Sequence, residues 1–98
     1  MKIVWTHEAL NQLAEIEGYI SKDSPKRAVL FVDQLVEHAE SLPDNPGMGR
    51  MVPEIGSPGI RELIFKKYRI VYRLNNDCIE ILTVFEGHRL LRMEGMEF

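Results

Sequence analysis

The stretch from Ile60 to Phe85 constrains the fold more than any other part of the chain. It contains three short runs rich in Ile, Val, Leu, Phe and Tyr, and these residue types suit the pleated, half-buried surface of a β-sheet. The runs are separated by Asn75-Asn76-Asp77, which is strong turn chemistry, and by the weaker turn signal Lys66-Lys67. The pattern therefore predicts an antiparallel meander of three strands.

Strand parity assigns the side chains of this meander to two faces. With turns of two or four residues, one face is predicted to carry Arg61, Leu63, Phe65, Ile70, Tyr72, Leu74, Ile79, Ile81 and Thr83. The other is predicted to carry Ile60, Glu62, Ile64, Arg69, Val71, Arg73, Glu80, Leu82 and Val84. A three-residue turn would exchange these assignments. The first face is the natural core. The second mixes arginines with apolar side chains, which predicts that a tail, a partner or a substrate covers it.

Two helices are predicted before the meander. After a short edge strand at residues 2–5, Thr6 can cap a first helix, and Ser24-Pro25 signals the start of a second. The apolar stripe of the first helix consists of Ala9, Leu10, Leu13, Ile16 and Ile20. The stripe of the second consists of Ala28, Val32, Leu35, Val36, Ala39 and Leu42, widened by Val29 and Phe31.

The order of these elements predicts the fold class. The link at residues 22–24 is short enough to make the two helices an antiparallel hairpin. A helix hairpin followed by a meander predicts a two-layer α+β domain of order β-α-α-β-β-β, with the hairpin packed on one face of an antiparallel sheet. We expect one domain over residues 1–98, because this length can bury a single core without disulfides or metals.

The composition argues against several classes of protein. Cys78 is the single cysteine, which excludes a disulfide framework and is typical of a reducing, cytoplasmic setting. His7, His38 and His88 lie far apart and give no metal-ligand spacing, so we expect neither a metal nor another cofactor. No apolar run approaches the length of a membrane span, and the N-terminus lacks the apolar segment of a signal peptide.

The net charge of −3 conceals an asymmetry between the two halves of the chain. Residues 1–49 hold four Lys or Arg and eight Asp or Glu, whereas residues 50–92 hold eight and five. The basic half coincides with the predicted meander, so an acidic partner or an anion would be drawn to the strands. The overall acidity argues against broad nucleic-acid affinity, which needs many uncompensated phosphate contacts.

Residues 43–59 are predicted to form a long ordered loop, because they contain four of the five prolines and four of the seven glycines. Loops of this length are often functional. The segment Gly47-Met48-Gly49-Arg50 is not a phosphate-binding fingerprint, since no strand precedes it and no helix start follows it. It is predicted to be a turn.

The residues with the clearest chemical potential are cationic. They are Arg61, Arg69, Arg73, Arg89 and the hairpin lysines Lys66 and Lys67. Arg69 and Arg73 share one face of a strand, and a guanidinium binds phosphate through a planar fork. Glu54 and His88 can complete a metal-independent ribonuclease with Arg69. One of the two would take the 2′-hydroxyl proton, the other would protonate the leaving 5′-oxygen, and arginine would stabilise the transition-state charge.

Each of these residues also has a structural interpretation. If Asn76-Asp77 is the turn, Arg73 faces Glu80 across the strands, and an ion pair explains both. Arg69 can pair in the same way with Glu62. His88 and Glu54 can be ordinary surface residues, and the two lysines can be solvated residues of a hairpin tip.

The order and spacing of several segments resemble the RelE/ParE superfamily of toxins from bacterial type II toxin–antitoxin systems. The match covers nearly the whole chain. Its strongest pieces are Arg61-Glu62-Leu63, Tyr68-Arg69-Ile70-Val71-Tyr72-Arg73 and the run from Ile79 to Arg89. Weaker pieces are Trp5-Thr6 with Ala9 and Leu13, and Pro53-Glu54 in the loop.

The resemblance implies a partner and one of two targets. It implies a cognate antitoxin whose extended segment wraps the toxin and neutralises it, in a toxin–antitoxin hetero-oligomer. RelE-like members cut mRNA in the ribosomal A site, whereas ParE-like members poison DNA gyrase. The RNase branch is typically strongly basic and ends in a catalytic tyrosine or paired basic residues. This chain is acidic and has no tyrosine after Tyr72, so it is more similar to the ParE-like, plasmid-stabilisation branch.

We therefore predict a cytoplasmic ParE-like toxin that acts by binding, with Arg61, Arg69, Arg73, His88 and Arg89 as its contact residues. The alternative is a ribosome-dependent mRNA endonuclease with Arg69, His88 and Glu54 as catalytic residues. A third possibility is a non-toxic interaction module of the same fold. The apolar residues of the tail, Leu90, Leu91, Met93, Met96 and Phe98, are one candidate cover for the mixed face of the sheet, beside a partner or a substrate.

Overall fold

The structure is a computed structural model and describes residues 1–87. It confirms the α+β class, with two helices packed on a five-stranded sheet. Beyond the predicted elements it contains a two-residue strand within the long loop and a 3₁₀ turn, and Leu42, predicted to belong to the second helix, lies in that turn because the helix ends at Glu40. The elements are β1 (Lys2–Trp5), α1 (His7–Ser21), α2 (Pro25–Glu40), a 3₁₀ turn (Leu42–Asp44), β2 (Arg50–Met51), β3 (Ile60–Phe65), β4 (Tyr68–Leu74) and β5 (Cys78–Glu86).

The sheet has the strand order β1-β5-β4-β3-β2. Strands β3 to β5 are antiparallel neighbours, as the meander predicts, β2 pairs antiparallel with β3, and β1 is an edge strand. β1 pairs with β5 in the parallel direction, which makes the sheet mixed rather than wholly antiparallel. The sequence pattern identifies β1 as a strand, but it does not indicate which strand β1 pairs with or in which direction.

Both helices begin at the predicted caps. The Thr6 hydroxyl accepts a hydrogen bond from the backbone N–H of Ala9 at 3.1 Å and donates one to the carbonyl of Leu82 at 2.9 Å. The Ser24 hydroxyl accepts from the N–H of Arg27 at 3.2 Å, with Pro25 at the first helical position. Thr6 therefore joins the start of α1 to the sheet as well as capping it.

The main core lies between the helix hairpin and the sheet. Leu10 and Val29 were predicted to belong to the helix stripes, but they are 50% and 51% exposed. Their assignment was wrong because the apolar stripe read from the sequence is wider than the face that contacts the sheet. The fully or nearly buried residues are Ala9, Leu13, Ile16, Leu35, Ala39, Leu42, Leu63, Tyr68, Ile70, Tyr72, Ile79, Ile81 and Val84.

A β-bulge alters the predicted faces at one point. Val71 pairs with Thr83 and Tyr72 pairs with Ile81, so Leu82 is an extra residue in β5. Val84 consequently lies opposite Ile70 and enters the main core, and its predicted assignment to the other face was wrong.

Among residues 1–87, neither helix is long and apolar enough to cross a membrane.

Candidate functional site

The face of the sheet opposite the helices carries a second, smaller apolar cluster. Val71 and Leu82 lie on this face, as predicted, and are buried against Val52 and Ile60. Val52 belongs to the loop between β2 and β3, and Ile55 from the same loop packs on the edge of the cluster. Part of the cover that we expected from a tail, a partner or a substrate is thus supplied by the chain's own loop.

A chain of four alternating charges joins this loop to the sheet. Glu62 of β3 accepts from the Nε of Arg50 at 2.7 Å and from the Nε of Arg69 at 2.6 Å. The Nη1 and Nη2 atoms of Arg69 donate to the two carboxylate oxygens of Glu54 at 2.7 and 2.8 Å. The series Arg50–Glu62–Arg69–Glu54, which we call the ion chain, therefore carries no net charge.

Arg69 is the centre of the ion chain. Each of its three guanidinium nitrogens donates to a carboxylate, and its guanidinium carbon lies 5.1 Å from the centre of the Phe85 ring. Hydrogen bonding to Glu54 raises the pKa of Arg69, burial opposes this increase, and hydrogen bonding to Glu62 adds to it. The charge on Arg69 is thus stabilised by two carboxylates from different parts of the chain.

The turn that presents Glu54 is formed by the backbone around it. The N–H groups of Ile55 and Gly56 both donate to the carbonyl of Val52, at 3.0 and 2.9 Å. Gly56 has a φ of +69°, which glycine adopts without the penalty of a β-carbon. With Val52 buried on the sheet, this turn brings the Glu54 carboxylate to the fork of Arg69.

Tyr72 binds the first half of the loop, and its side chain lies on the helix side of the sheet, opposite the face that carries the ion chain. Its hydroxyl accepts from the N–H of Gly49 at 3.0 Å and donates to the carbonyl of Pro46 at 2.9 Å. Arg61 donates from Nη1 to the carbonyl of Gly49 at 2.9 Å. Burial raises the pKa of the Tyr72 phenol, so the hydroxyl keeps the proton that it donates. The loop is therefore fixed to the sheet at two separate places.

The structure separates the predicted arginines into different environments. Arg61 lies directly opposite Tyr72 and therefore on the helix side, whereas Arg69 lies on the opposite face. Arg73 faces Glu80 in the register of β4 and β5, and the two side chains form an ion pair at 3.6 Å. This is the cross-strand pair that the sequence indicates if Asn76-Asp77 is the turn.

Two predicted catalytic residues, Arg69 and Glu54, are in direct contact. The third, His88, and the predicted contact residue Arg89 lie outside the described residues, as does the apolar tail. Arg50 was missed, because the sequence does not predict the short strand β2 that places it opposite Glu62. Glu62 was named only as a pairing alternative for Arg69, and the structure places that pair at 2.6 Å.

The described residues offer little for metal or nucleophilic chemistry. Among residues 1–87, no three His, Cys, Asp or Glu side chains come together in a way that would hold a metal ion. Cys78 is partly buried at the start of β5 and carries no disulfide. The chemistry of the site is therefore that of arginines and carboxylates.

An open groove lies between α1 and the C-terminal part of β5, and its lining includes Phe85, whose ring contacts Arg69. It has a volume of about 410 Å³ and is lined by both apolar and acidic side chains. Ile16 and Tyr19 contribute from α1, and Val84 and Glu86 contribute from β5. β1 pairs with β5 only from Cys78 to Ile81, so the part of β5 beside the groove extends past the end of β1.

Comparison with known proteins gives consistent results. A family model described as the ParE toxin of the type II toxin–antitoxin system parDE matches residues 3–91. A curated relative named Toxin RelE2, from Caulobacter vibrioides, is 31% identical over 90 residues, which cover 91% of this chain and 98% of the relative. A solved structure titled as the chromosomal ParDE toxin–antitoxin system from P. aeruginosa superposes with a TM-score of 0.74 at 26% identity. The match covers 88% of this chain and 95% of the other.

Proposed function

The chain belongs to the ParE family of type II toxins, within the RelE/ParE superfamily, and from this membership we propose that it poisons DNA gyrase by binding. Membership in a type II system implies a cognate antitoxin as its partner. In this proposal the toxin has no chemistry of its own, and the antitoxin neutralises it by occupying the surface that gyrase needs.

The observation that carries the proposal is the environment of Arg69. An RNase of this superfamily needs a guanidinium directed at the scissile phosphate, where negative charge develops. In this chain the three guanidinium nitrogens of Arg69 already donate to Glu54 and Glu62. Because these bonds are short and charge-assisted, a phosphate would have to displace a carboxylate before it could be stabilised.

The charge distribution supports a protein target over a nucleic acid. The chain has a net charge of −3, and the ion chain neutralises two of its arginines. The Arg73 side chain is 29% exposed beside the smaller apolar cluster, which is a composition typical of protein interfaces. We therefore keep Arg73, with Arg61, His88 and Arg89, as proposed contact residues, and assign Arg69 the role of holding that surface in place.

The groove beside β5 is the part of the structure best suited to an extended antitoxin segment. The strand continues past the end of β1, and an incoming chain would add to the sheet there by backbone hydrogen bonding, displacing the Gln12 side chain that now accepts from the Val84 N–H. Ile16 and Tyr19 would provide apolar contacts for alternate side chains of that segment. The toxin and antitoxin would then form a hetero-oligomer. We place the complex in the cytoplasm, where gyrase acts, with residues 1–98 as a single domain.

The first prediction concerns the effect of induced expression in a bacterial host. We expect filamentation and DNA-damage signalling before any loss of protein synthesis, because the proposed target is gyrase. Microscopy, a DNA-damage reporter and pulse-labelling of new protein measure these effects. Arg73→Ala should weaken toxicity at unchanged expression. Lys26→Ala, which also removes one positive charge but from the exposed surface of α2, should leave toxicity intact.

Other outcomes of the same experiment would overturn the proposal. An early stop of translation with fragmented mRNA would identify an endonuclease. Growth that continues at good expression of folded protein would favour the non-toxic interaction module. Equal toxicity of the Arg73→Ala and Lys26→Ala variants would remove Arg73 from the contact surface.

The endonuclease remains the second candidate function, because Arg69 and Glu54 are adjacent. In that case His88 and Glu54 would exchange protons with the ribose and the leaving oxygen, and Arg69 would stabilise the phosphorane. The double variant His88→Ala, Glu54→Gln tests this function without removing the buried arginine. Loss of ribosome-dependent mRNA cutting in the folded variant would support the second candidate, and absence of cutting by the unaltered toxin would exclude it.

A further inference from the structure

The outer edge of β5 is paired with backbone along β1 and with side chains further on. The register with β1 extends to Ile81, and the N–H of Thr6 donates to the carbonyl of Ile81 at 3.1 Å. The Thr6 hydroxyl then donates to the carbonyl of Leu82 at 2.9 Å. Further along, Oε1 of Gln12 in α1 accepts from the N–H of Val84 at 2.6 Å. Side chains therefore take the place of a neighbouring strand beyond the end of β1.

Gln12 supplies the acceptor that a carbonyl of such a strand would supply. Its Oε1 atom also accepts from the Thr83 hydroxyl at 2.8 Å. Val84 is 1% exposed and Thr83 is 3% exposed, so the Val84 N–H needs an acceptor from the protein. Gln12 itself is partly exposed and has a flexible side chain. It can therefore move away when another carbonyl reaches the Val84 N–H.

The groove beside this edge is both apolar and acidic. Glu15, Ile16 and Tyr19 line it on the helix side, and none of the described residues that line it is a lysine or an arginine. α1 also carries Glu8 and Glu17, with no lysine or arginine along its length. Glu15 is exposed and forms no ion pair within residues 1–87. The groove thus favours cationic side chains, opposite in sign to those of the acidic partner that the basic half of the chain would attract.

We propose that the edge of β5 at Val84 binds an extended segment of a partner protein that carries lysine or arginine on the side facing α1. A backbone carbonyl of the segment replaces the Gln12 amide at the Val84 N–H, and alternate side chains reach Ile16 and Glu15. The segment belongs to the antitoxin, so this proposal rests on the antitoxin contact proposed above. A second copy of the chain is disfavoured, because its own groove presents the same glutamates.

The test uses the purified full-length chain at low ionic strength and two pentapeptides with acetylated and amidated ends, Lys-Val-Leu-Val-Lys and Glu-Val-Leu-Val-Glu. Both peptides read the same in either strand direction, and the Val84 amide signal in NMR spectra reports their binding. The lysine peptide should bind about tenfold more tightly than the glutamate peptide. Gln12→Ala should bind the lysine peptide about threefold more tightly than the unaltered chain, because no internal acceptor has to be displaced. Gln34→Ala, the same change on the exposed surface of α2, should leave the affinity unchanged.

The charge of the groove is tested by a second pair of variants. Glu15→Gln should weaken binding of the lysine peptide about threefold, whereas Glu17→Gln, which removes the same charge from α1 outside the groove, should not. The proposal is overturned if the two peptides bind equally, if Gln12→Ala binds no more tightly than Gln34→Ala, or if the two glutamate variants behave alike. If Gln12→Ala does not fold, the comparison of Glu15→Gln with Glu17→Gln decides.

Two other occupants of the groove would be recognised by similar measurements. Dimerisation of the unaltered chain that Gln12→Ala strengthens would identify a second copy as the occupant and overturn the proposal. Tighter binding of the lysine peptide by the double variant Arg89→Gln, Arg92→Gln would identify the chain's own tail as the occupant, with the same consequence. None of these measurements involves gyrase or an antitoxin, so their failure is separate from that of the proposed target.

Discussion

Replacing Glu62 with alanine is expected to lower the free energy of unfolding by about 3–5 kcal/mol, the range found when one member of a buried ion pair is removed. The Glu62 carboxylate is completely buried and accepts from Arg50 and Arg69. Arg50 is 62% exposed on its side chain and can be solvated, but Arg69 is only 7% exposed. The loss therefore arises mainly from a buried Nε–H that has lost its acceptor.

Denaturant unfolding measures this change, and Glu80→Ala is its control. Glu80 also pairs with an arginine of β4, but that pair is partly exposed and its atoms are 3.6 Å apart. We expect a loss of about 1 kcal/mol or less for Glu80→Ala. Similar losses for the two variants would mean that the ion chain contributes no more than an ordinary surface pair, and its structural role would be refuted.

Replacing Gly49 with alanine is the second change with a large expected effect. A β-carbon at this position would lie 2.5 Å from the Tyr72 hydroxyl oxygen and 2.6 Å from the backbone oxygen of Glu62. Because Tyr72 is fully buried, the loop must move, and the hydrogen bonds of its hydroxyl to Gly49 and Pro46 are strained or lost. We expect a destabilisation of about 2–4 kcal/mol from overpacking and lost hydrogen bonds.

Gly47→Ala provides the matched comparison two residues away. A β-carbon there meets no atom within 4 Å, so we expect a change within about 0.5 kcal/mol of zero. Thermal and denaturant unfolding of the two variants measure the difference. If Gly49→Ala were as stable as Gly47→Ala, Tyr72 could not be the fixed anchor of the loop that the structure describes.

Most of the fold can be predicted from the sequence because its local signals agree with one another. Thr6 and Ser24-Pro25 fix the helix starts, and the Asn75-Asn76-Asp77 turn fixes the register of β4 and β5. Alternation then places Ile70 and Tyr72 under the helices and Val71 on the opposite face. These signals act over a few residues, so a single sequence is enough to read them.

The predictions that failed depend on contacts between distant residues. Parity counting assumes an unbroken ladder, so the extra residue at Leu82 moves Val84 to the other face without any local signal. The role of Gly49 is equally hidden, because it depends on the Tyr72 side chain, 23 residues further along the chain. Its neighbour Gly47 has the same residue type and no such constraint.

The candidate site was predicted in its components but not in its connections. Arg69 and Glu54 were both named, and Glu62 was considered as a partner of Arg69. The course of the long loop over the sheet decides which carboxylate binds Arg69. That course cannot be predicted from local sequence patterns. The structure shows that both carboxylates bind it at once, so the face carries a neutral ion chain.

This arrangement changes the expected role of the arginines. A free guanidinium on a strand suggests phosphate binding, but one held by two carboxylates instead fixes the loop and the shape of the surface. Arg73, which is partly exposed and pairs with Glu80, remains a proposed contact residue for a protein partner, whereas Arg50 belongs to the neutral ion chain. In this account the toxin acts through an ordered surface, and Arg69 contributes to that surface indirectly.

The most direct test adds the purified toxin to purified DNA gyrase and relaxed plasmid, and measures supercoiling on gels. The account predicts that supercoiling stops at toxin concentrations close to that of gyrase and that cognate antitoxin restores it. In a parallel reaction with ribosomes and mRNA, the same toxin concentration should leave the mRNA intact. Unimpaired supercoiling together with cut mRNA would contradict it.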